Sequence, residues 1–194
     1  MTFPHPPAGR PRPGPAVLAA IEFLLLDVDG VLTDGRIWFA PDGAEYKSFH
    51  VHDAAGLAYW HRAGGRTGFL SGRGGHSVER RAAELGIHEV VLKRVDKAAA
   101  FQELLQRTGL DAQRIAYVGD DVVDLPVLRA AGFAVTVPEA RPDVFAAVHH
   151  VTSRAAGFGA AREVIELLLA ARGSWSQIVA AGGHKKPSSE QPAP

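Results

Sequence analysis

The sequence predicts an α/β fold in which a parallel sheet is wrapped by helices. Apolar runs of strand length alternate with segments of helical periodicity from about residue 16 to residue 183. This alternation is typical of parallel strands that are joined by helical crossovers. The body has the length of one ordinary domain, able to bury about 70% of its unfolded surface.

Six segments are predicted as strands and six as helices. The strand predictions are Phe23–Leu26, Arg66–Leu70, Glu89–Leu92, Ile115–Val118, Phe133–Val137 and His149–Thr152. The helix predictions are Ala54–Arg62, His76–Leu85, Lys97–Arg107, Leu125–Ala130, a short helix near Asp143, and Ala160–Ala171. The last of these has one apolar stripe, which indicates a helix that covers the sheet.

One connection departs from this alternation. Residues 35–50 place two β-prone runs on either side of Pro41-Asp42-Gly43, which predicts a β-hairpin inserted after the first strand. An isolated hairpin is marginally stable in water. This one carries large apolar side chains at Ile37, Trp38, Phe39, Tyr46 and Phe49. We expect it to pack on its own domain or on a neighbouring subunit; the alternative is a hairpin folded flat on its own sheet.

Prolines set the two ends of the chain apart from its body. The chain has 194 residues and 13 prolines, of which six lie at positions 4–15 and three at 187–194. Segments with few apolar residues cannot bury enough surface to offset the entropy of ordering. We predict mobile tails over 1–15 and 184–194, on either side of a single domain over 16–183.

The composition argues against several classes of protein. Basic and acidic residues are balanced at 21 each, whereas dedicated nucleic-acid binders usually carry a basic excess. The absence of cysteine removes disulfides, thiolate nucleophiles and thiolate metal sites. Neither a signal peptide nor an apolar run of membrane-spanning length is recognised. We therefore expect a soluble, cytoplasmic protein with no nucleic-acid or membrane partner.

Acidic residues follow two of the predicted strands. Asp27 and Asp29 come directly after the first strand, and Asp120, Asp121 and Asp124 follow the fourth. Ligands of open α/β sheets bind at the carboxyl ends of strands. Converging carboxylates repel one another unless a cation is present, and oxygen ligands favour Mg²⁺. A turn or a helix N-cap explains any single aspartate after a strand, including Asp124. Neither explains why clusters of aspartates follow two buried strands.

A cation among carboxylates suits phosphoryl transfer. In this interpretation Asp27 is the nucleophile, which forms an aspartyl phosphate. Asp29 lies two residues further along an extended chain, on the same side, where it protonates the leaving oxygen and later activates water. Asp120 completes the metal site.

Two further strand ends fit this chemistry. Ser71 and the N–H groups near it are placed to hold phosphoryl oxygens near a helix start, although a plain Ser-Gly turn explains the segment equally well. Lys97 directly follows Asp96 in the first turn of a helix, where a positive charge interacts unfavourably with the helix macrodipole. This position favours a role in the site for Lys97, with Lys93 and Arg94 as alternatives.

Four segments resemble the motifs of the haloacid dehalogenase superfamily of phosphatases. They are Asp27–Gly35 (DVDGVLTDG), Leu70–Arg73 (LSGR), Lys97, and Gly119–Asp124 (GDDVVD). With the hairpin after the first motif, residues 22–172 are similar to the 3-deoxy-D-manno-octulosonate 8-phosphate phosphatase group. Members of that group are small, lack a large cap domain and form tetramers through the hairpin. The resemblance implies a Rossmann-like sheet with helices on both faces, in a homotetrameric phosphatase that acts on a phosphorylated sugar acid.

The resemblance also implies catalytic roles. Asp27 would be the nucleophile and Asp29 the acid and base, both close to the substrate. Ser71 would hold the phosphate, and Lys97 would neutralise its charge.

The same resemblance implies a magnesium site. Mg²⁺ would be bound by Asp27, by the backbone carbonyl of Asp29 and by Asp120. Asp121 and Asp124 are expected to lie beside these ligands and to support them.

Substrate contacts are implied for two regions. One is the segment after the hairpin, with His50, His52 and Asp53. The other comprises Arg73 of the second motif and Arg81 on the helix that follows it. A solvent-exposed helix face is the alternative for Arg81, and a helix-entry residue is the alternative for Arg73.

The segment after the hairpin departs from the usual pattern of the family. Where the family usually has Phe-Asn-Val-Arg-Asp-Gly, this chain has Phe-His-Val-His-Asp-Ala over residues 49–54, and a later arginine is replaced by Ala58. His52 therefore stands where an arginine would pair with a sugar carboxylate, although a role as a helix-capping neighbour of Asp53 explains it equally well. A histidine is charged only below neutral pH unless an anion raises its pKa.

Other functions remain open from the sequence alone. A phosphatase of another acidic sugar phosphate, such as a nonulosonate 9-phosphate, is the nearest alternative. A phospho-acceptor module also uses clustered aspartates, but it has no use for Asp29. A non-catalytic oligomerising scaffold is a third alternative, although every motif residue is present.

Overall fold

The fold is built on one parallel six-stranded sheet. The computed structural model describes residues 6–184, which contain eight strands and seven α-helices. The strands are β1 (Phe23–Leu26), β2 (Trp38–Phe39), β3 (Glu45–Tyr46), β4 (Arg66–Leu70), β5 (Glu89–Val91), β6 (Ile115–Val118), β7 (Phe133–Thr136) and β8 (His150–Val151). The helices are α1 (Pro15–Ala20), α2 (Val51–Arg62), α3 (His76–Leu85), α4 (Lys97–Thr108), α5 (Leu125–Ala130), α6 (Ala160–Ala171) and α7 (Trp175–Ala180). The sheet order is β5-β4-β1-β6-β7-β8, with every pairing parallel, which confirms the predicted α/β fold.

The predicted helix over Ala54–Arg62 begins too late. In the structure α2 begins at Val51, because the imidazole Nδ1 of His50 accepts the backbone N–H of His52 at 3.3 Å and caps the first turn. The short helix expected near Asp143 is a 3-10 helix over Pro142–Ala147. Helices α1 and α7 were not predicted from the sequence.

Side-chain alternation along β1 divides the core into two layers. Leu24 and Leu26 lie on the face covered by α1, α2 and α6, whereas Phe23 and Leu25 lie on the face covered by α4 and α5. All four side chains are fully buried. Burial on both faces is the reason that strands of a parallel sheet are continuously apolar.

The middle of the sheet is where its strand order changes direction. From β1 the chain adds β4 and β5 on one side, then β6, β7 and β8 on the other. Leu26 of β1 pairs with Phe69 of β4 and with Val118 of β6, so the three strands end within one residue of the same level. Such a switch point opens a crevice at the carboxyl ends of the strands.

The hairpin predicted over residues 35–50 is present as β2 and β3, which pair antiparallel. It turns through Gly43, whose φ of +84° suits glycine. Trp38, Phe39 and Tyr46 are 62%, 68% and 58% exposed. Trp38 and Tyr46 are paired across the hairpin and share one face, whereas Phe39 is paired with Glu45 on the other face. The hairpin therefore exposes aromatic side chains on both faces.

Part of the predicted N-terminal tail contacts the domain. The backbone N–H groups of Gly9 and Arg10 donate to the carbonyls of Phe145 and Val148 at 2.8 and 2.9 Å. The Arg10 side chain donates to the carbonyl of Leu128 at 3.1 Å. Residues 1–5 and 185–194 of the two predicted tails lie outside the described residues, and the domain bounds stay a prediction. Within residues 6–184, no helix combines the length and the apolar character needed to cross a membrane.

Glu163 holds the loop after β8 against the start of α6. Its carboxylate accepts the N–H groups of Ser153 and Arg154 at 3.0 and 2.9 Å, and it pairs with the His150 imidazole at 3.2 Å. Burial alone would raise the pKa of Glu163, but hydrogen bonds from these groups lower it to about 2. The folded protein therefore favours the ionised form.

Because the folded pKa of Glu163 is lowered, its contribution to stability is present above the usual pKa of glutamate and is lost as pH falls towards about 2. We expect Glu163→Gln to reduce the loss of stability between about pH 6 and pH 3.5, measured as the midpoint of urea unfolding. Glu166→Gln is the matched control, since Glu166 pairs with Arg162 on the same helix at 2.6 Å. If the urea midpoint of Glu163→Gln falls with pH as steeply as that of the wild type, this assignment is contradicted.

Candidate active site

Asp27 stands at the carboxyl end of β1, in the middle of the sheet. Its backbone N–H donates to the carbonyl of Val118 at 3.0 Å, which continues the pairing with β6. Its Oδ1 accepts the N–H of Val28 at 2.7 Å, and its Oδ2 lies 2.8 Å from the ammonium of Lys97. Asp27 is thus a buried carboxylate at the switch point of the sheet.

Lys97 supplies a buried positive charge from the first turn of α4. The ammonium contacts Asp27 and lies 2.6 Å from Oδ1 of Asp124. Burial alone would lower the pKa of Lys97, but Asp27 and Asp124 raise it above its usual value. The ammonium therefore stays charged at neutral pH. Of the sequence alternatives, Arg94 instead pairs with Glu103 at 2.7 Å, and Lys93 is exposed.

Asp124 is fully engaged by hydrogen bonds. Its Oδ1 accepts from Lys97 and from the hydroxyl of Tyr117, and its Oδ2 accepts the N–H groups of Asp120 and Asp121 at 2.9 and 3.0 Å. Burial, with Asp124 nearby, raises the pKa of Tyr117 well above its usual value, so the phenol remains a donor. Asp124 anchors the lysine and forms a capping box with Asp121 in the 3-10 turn over Val122–Asp124. Its side chain does not cap α5, so the N-cap interpretation of this residue is wrong.

Asp27, Asp120 and Asp124 form an acidic cluster. One carboxylate oxygen from each of the three lies within 4.8 Å of the others. Burial raises the pKa of Asp27 to about 7, with Lys97 opposing the shift. Burial and the neighbouring Asp27 and Asp124 raise the pKa of Asp120 to about 8. The protein alone therefore does not balance the negative charge of this cluster.

The cluster fits a divalent cation held by oxygen ligands. Oδ1 of Asp120 is buried and has no hydrogen-bond partner among the described residues. Each oxygen of Asp124 accepts two hydrogen bonds, whereas each oxygen of Asp27 has one partner, so Asp27 and Asp120 are the side chains with capacity left to bind a metal. Gly30 allows the close approach of Asp120: a Cβ at Gly30 would lie 2.2 Å from Oδ2, and its φ is +92°.

Asp121, expected beside the metal ligands, points elsewhere. The residue is exposed, and its Oδ1 accepts the N–H of Val122 at 2.7 Å. It caps the 3-10 turn over Val122–Asp124. Its side chain therefore shapes the loop rather than joining the acidic cluster.

Asp29 contacts Lys47, a lysine that was not predicted to lie in the site. Lys47 follows β3 of the hairpin, and its ammonium lies 2.6 Å from Oδ1 of Asp29 and 3.3 Å from Oε1 of Glu45. Its side chain has no exposed surface. Alternation along Glu45-Tyr46-Lys47 was the available signal, since it places two charged residues opposite an exposed tyrosine.

Ser71 is buried at the carboxyl end of β4, the strand next to β1. Its hydroxyl oxygen accepts the N–H of Arg73 at 3.1 Å, so the Ser-Gly turn foreseen from the sequence is present. This turn keeps the hydroxyl at the same edge of the sheet as Asp27.

The segment after the hairpin begins α2 and contacts the loop before α6. His50 lies with its ring centroid 4.9 Å from that of His52 and 6.4 Å from that of Phe158. Asp53 is buried, and its Oδ1 accepts the N–H of Arg162 at 2.7 Å in the first turn of α6. Asp53 thus has a structural role that the sequence did not predict, while its substrate role stays a prediction.

The two arginines expected to bind substrate contact the hairpin and the segment after it. Arg73 donates to Oε2 of Glu45 at 3.1 Å and is half exposed. Arg81 pairs with Glu84 at 2.8 Å and lies over the ring of Phe49 at 5.7 Å. The Nε of Arg81 is buried without a hydrogen-bond partner among residues 6–184. Neither arginine joins the acidic cluster.

Comparison with known proteins gives one consistent family. The family model of haloacid dehalogenase-like hydrolases matches residues 53–164. The 3-deoxy-D-manno-octulosonate 8-phosphate phosphatase of Haemophilus influenzae is 40% identical over 169 residues, which cover 87% of this chain and 94% of that protein. A cobalt-bound structure of the deoxy-D-mannose-octulosonate 8-phosphate phosphatase of H. influenzae has a TM-score of 0.82 at 40% identity, covering 86% and 98% of the two chains. The 3-deoxy-D-manno-octulosonate 8-phosphate phosphatase of Moraxella catarrhalis, in complex with magnesium ion, phosphate ion and KDO, has a TM-score of 0.84 at 35% identity, covering 87% and 97%.

If Asp27 and Asp120 bind a divalent cation, Mg²⁺ should raise the melting temperature of the folded protein by mass action. We expect Asp120→Asn to remove most of this increment, because it removes one of the two available carboxylates. Asp121→Asn is the matched control. Loss of its helix cap can lower the melting temperature without metal, but Mg²⁺ should still raise that temperature as much as in the wild type. Thermal melts at increasing Mg²⁺ test this. Equal increments in both variants would contradict the assignment of the ligands.

Proposed function

Because the chain belongs to the 3-deoxy-D-manno-octulosonate 8-phosphate phosphatase family of haloacid dehalogenase-like hydrolases, it is a phosphoric monoester hydrolase, and we propose that its substrate is 3-deoxy-D-manno-octulosonate 8-phosphate. The observation that carries the proposal is the buried pair of Asp27 and Lys97 beside Asp120, at the switch point of the sheet. The match of 40% identity over 87% of the chain supports the substrate.

Asp27 acts as the nucleophile in this proposal. Its carboxylate oxygen forms a bond to phosphorus as the ester P–O bond breaks, which leaves an aspartyl phosphate. Lys97 lies 2.8 Å from the same carboxylate, so it holds the attacking group and offsets charge on the phosphoryl oxygens. Ser71, at the neighbouring strand end, donates its hydroxyl to one of those oxygens.

Asp29 serves as acid and then as base. In the first step its carboxyl gives a proton to the departing sugar oxygen. In the second step the carboxylate takes a proton from water, whose oxygen forms a bond to phosphorus as the bond to Asp27 breaks. Inorganic phosphate leaves, and both aspartates are ready for another cycle.

Asp27 and Asp120, with the backbone carbonyl of Asp29, would hold Mg²⁺. When bound, the cation lowers the repulsion between carboxylates and phosphate and stabilises charge that develops on the phosphoryl oxygens. The magnesium ion named with the Moraxella catarrhalis enzyme supports this choice of metal. The unpartnered oxygen of Asp120 supports its position.

The mouth of the crevice provides the sugar contacts. His50, His52 and Phe158 lie together at the start of α2 and before α6, and Arg73 and Arg81 lie on the hairpin side. The arginines suit the sugar carboxylate. Since His52 stands where the family usually has an arginine, a nonulosonate 9-phosphate is the second candidate substrate.

A phosphate-release screen tests both substrates. We expect the highest kcat/KM on 3-deoxy-D-manno-octulosonate 8-phosphate, at least about tenfold above glucose 6-phosphate, which lacks the carboxylate, because a paired charge contributes about 1.4 kcal/mol or more. A higher kcat/KM on a nonulosonate 9-phosphate would show that this ester, and not 3-deoxy-D-manno-octulosonate 8-phosphate, is the preferred substrate. No release from any ester in the presence of Mg²⁺ would contradict the proposed function.

Replacing the nucleophile tests the mechanism. Asp27→Asn should lower kcat by about a thousandfold or more, because the other catalytic residues contribute little once the nucleophile is removed. Asp143→Asn, at an exposed aspartate, should retain full activity. Acid quenching of the wild type during turnover, followed by mass spectrometry, should find phosphate on the peptide that contains Asp27. A fully active Asp27→Asn variant would contradict the mechanism.

We further propose that the exposed aromatic side chains of the hairpin join four chains in a homotetramer. Trp38, Phe39 and Tyr46 are each more than half exposed, an unusual state for neighbouring aromatic side chains. The wild type should have the light-scattering mass of four chains of 20.6 kDa. Trp38→Ser with Phe39→Ser should lower this mass, while Val179→Ser, at another exposed apolar residue, should not. A wild-type mass of one chain would contradict the assembly.

A further inference from the structure

Lys47 is a charged residue that the proposed mechanism does not use, and its side chain is fully enclosed. Its side chain has no exposed surface, and its ammonium lies between Oδ1 of Asp29 at 2.6 Å and Oε1 of Glu45 at 3.3 Å. A buried ammonium without opposite charges is costly, so these two carboxylates are what allows a lysine here. The Lys47 ammonium is therefore fixed in place by the groups that it contacts.

The two oxygens of Asp29 differ in their surroundings. Oδ1 accepts a hydrogen bond from Lys47. Oδ2 is buried and has no hydrogen-bond partner among the described residues. A carboxyl group that gives and takes a proton needs one oxygen free for the exchange, and it needs a fixed orientation to reach the reacting atom.

We propose that Lys47 is a positioning residue, whose ammonium holds Oδ1 of Asp29 and so presents Oδ2 to the departing and attacking oxygens. The inference rests on the proposed function. As the bond from Asp27 to phosphorus forms, the ester P–O bond breaks and its electron pair passes to the leaving oxygen. That oxygen receives the proton from Oδ2 of Asp29.

The hairpin provides the support for this contact. Along β3 and the residue after it, Glu45 and Lys47 point to the domain while Tyr46 points to solvent. Glu45 also accepts from Arg73, which follows β4 on the main sheet. The chain of contacts from Arg73 through Glu45 to Lys47 fixes the hairpin and the lysine against Asp29.

Leaving-group dependence separates this role from a general structural one. Phenyl phosphate and 4-nitrophenyl phosphate have similar size, but phenolate is the more basic leaving group and depends more on a positioned acid. We expect Lys47→Met to raise the ratio of kcat/KM for 4-nitrophenyl phosphate over phenyl phosphate by about tenfold or more. The ratio is independent of the fraction of variant that is folded, since both esters sample the same active enzyme.

Two variants serve as comparisons. Lys47→Arg keeps the positive charge and should change the ratio less than Lys47→Met does. Arg107→Met removes a cation from an ion pair with Glu89, the first residue of β5, in which Nη2 and Oε2 are 2.6 Å apart. This variant should leave the ratio unchanged. An unchanged ratio in Lys47→Met, or an equal change in Arg107→Met, would overturn the proposal.

Crystal structures of the wild type and of Lys47→Met provide a readout that needs no turnover. We expect the contact between Lys47 and Asp29 in the wild type and a rotated Asp29 carboxylate in the variant. An Asp29 side chain that stays in place without the lysine would overturn the positioning role. A wild type that hydrolyses neither aryl nor sugar phosphates, while Asp29 still rotates in the variant, would overturn the proposed function and leave the contact established.

Discussion

Three carboxylates and one lysine share a buried site at the centre of the sheet, and their charges do not balance. Asp27, Asp120 and Asp124 carry three negative charges when ionised, and Lys97 carries one positive charge, which leaves a net charge of −2. Without further compensation, burial raises the pKa of Asp27 to about 7 and that of Asp120 to about 8. In the proposed mechanism a divalent cation would supply the two missing charges and so keep the nucleophile ionised.

The fold brings these groups together by strand order and by small local features. Since β1 and β6 are neighbours and end at the same level, the segments after them meet. Gly30 lets the turn after β1 approach Asp120, and Tyr117 of β6 places its hydroxyl on Asp124. The hairpin then adds Lys47 and Glu45 from one side. Apolar packing of the sheet thus provides the rigid frame, and the charged residues of the candidate site lie at its carboxyl edge.

The sheet and most of the acidic site were predictable because their signals are local. Apolar runs predicted the six strands of the main sheet, and aspartates directly after two of them predicted the cluster. Lys47 was missed because its burial depends on how the hairpin packs, which strand propensity does not specify. The start of α2 was missed because His50 caps it through an imidazole rather than a common capping side chain. The capping role of Asp53 depends on α6, 109 residues away in the chain.

Anomalous diffraction from crystals grown with Mn²⁺ tests the central claim most directly, since Mn²⁺ shares the oxygen preference of Mg²⁺ and can be located by its own signal. We expect one strong peak bound by carboxylate oxygens of Asp27 and Asp120, with Asp124 still bonded to Lys97 and Tyr117. A peak bound elsewhere, or no peak at saturating Mn²⁺, would contradict the claim that a cation balances this buried cluster.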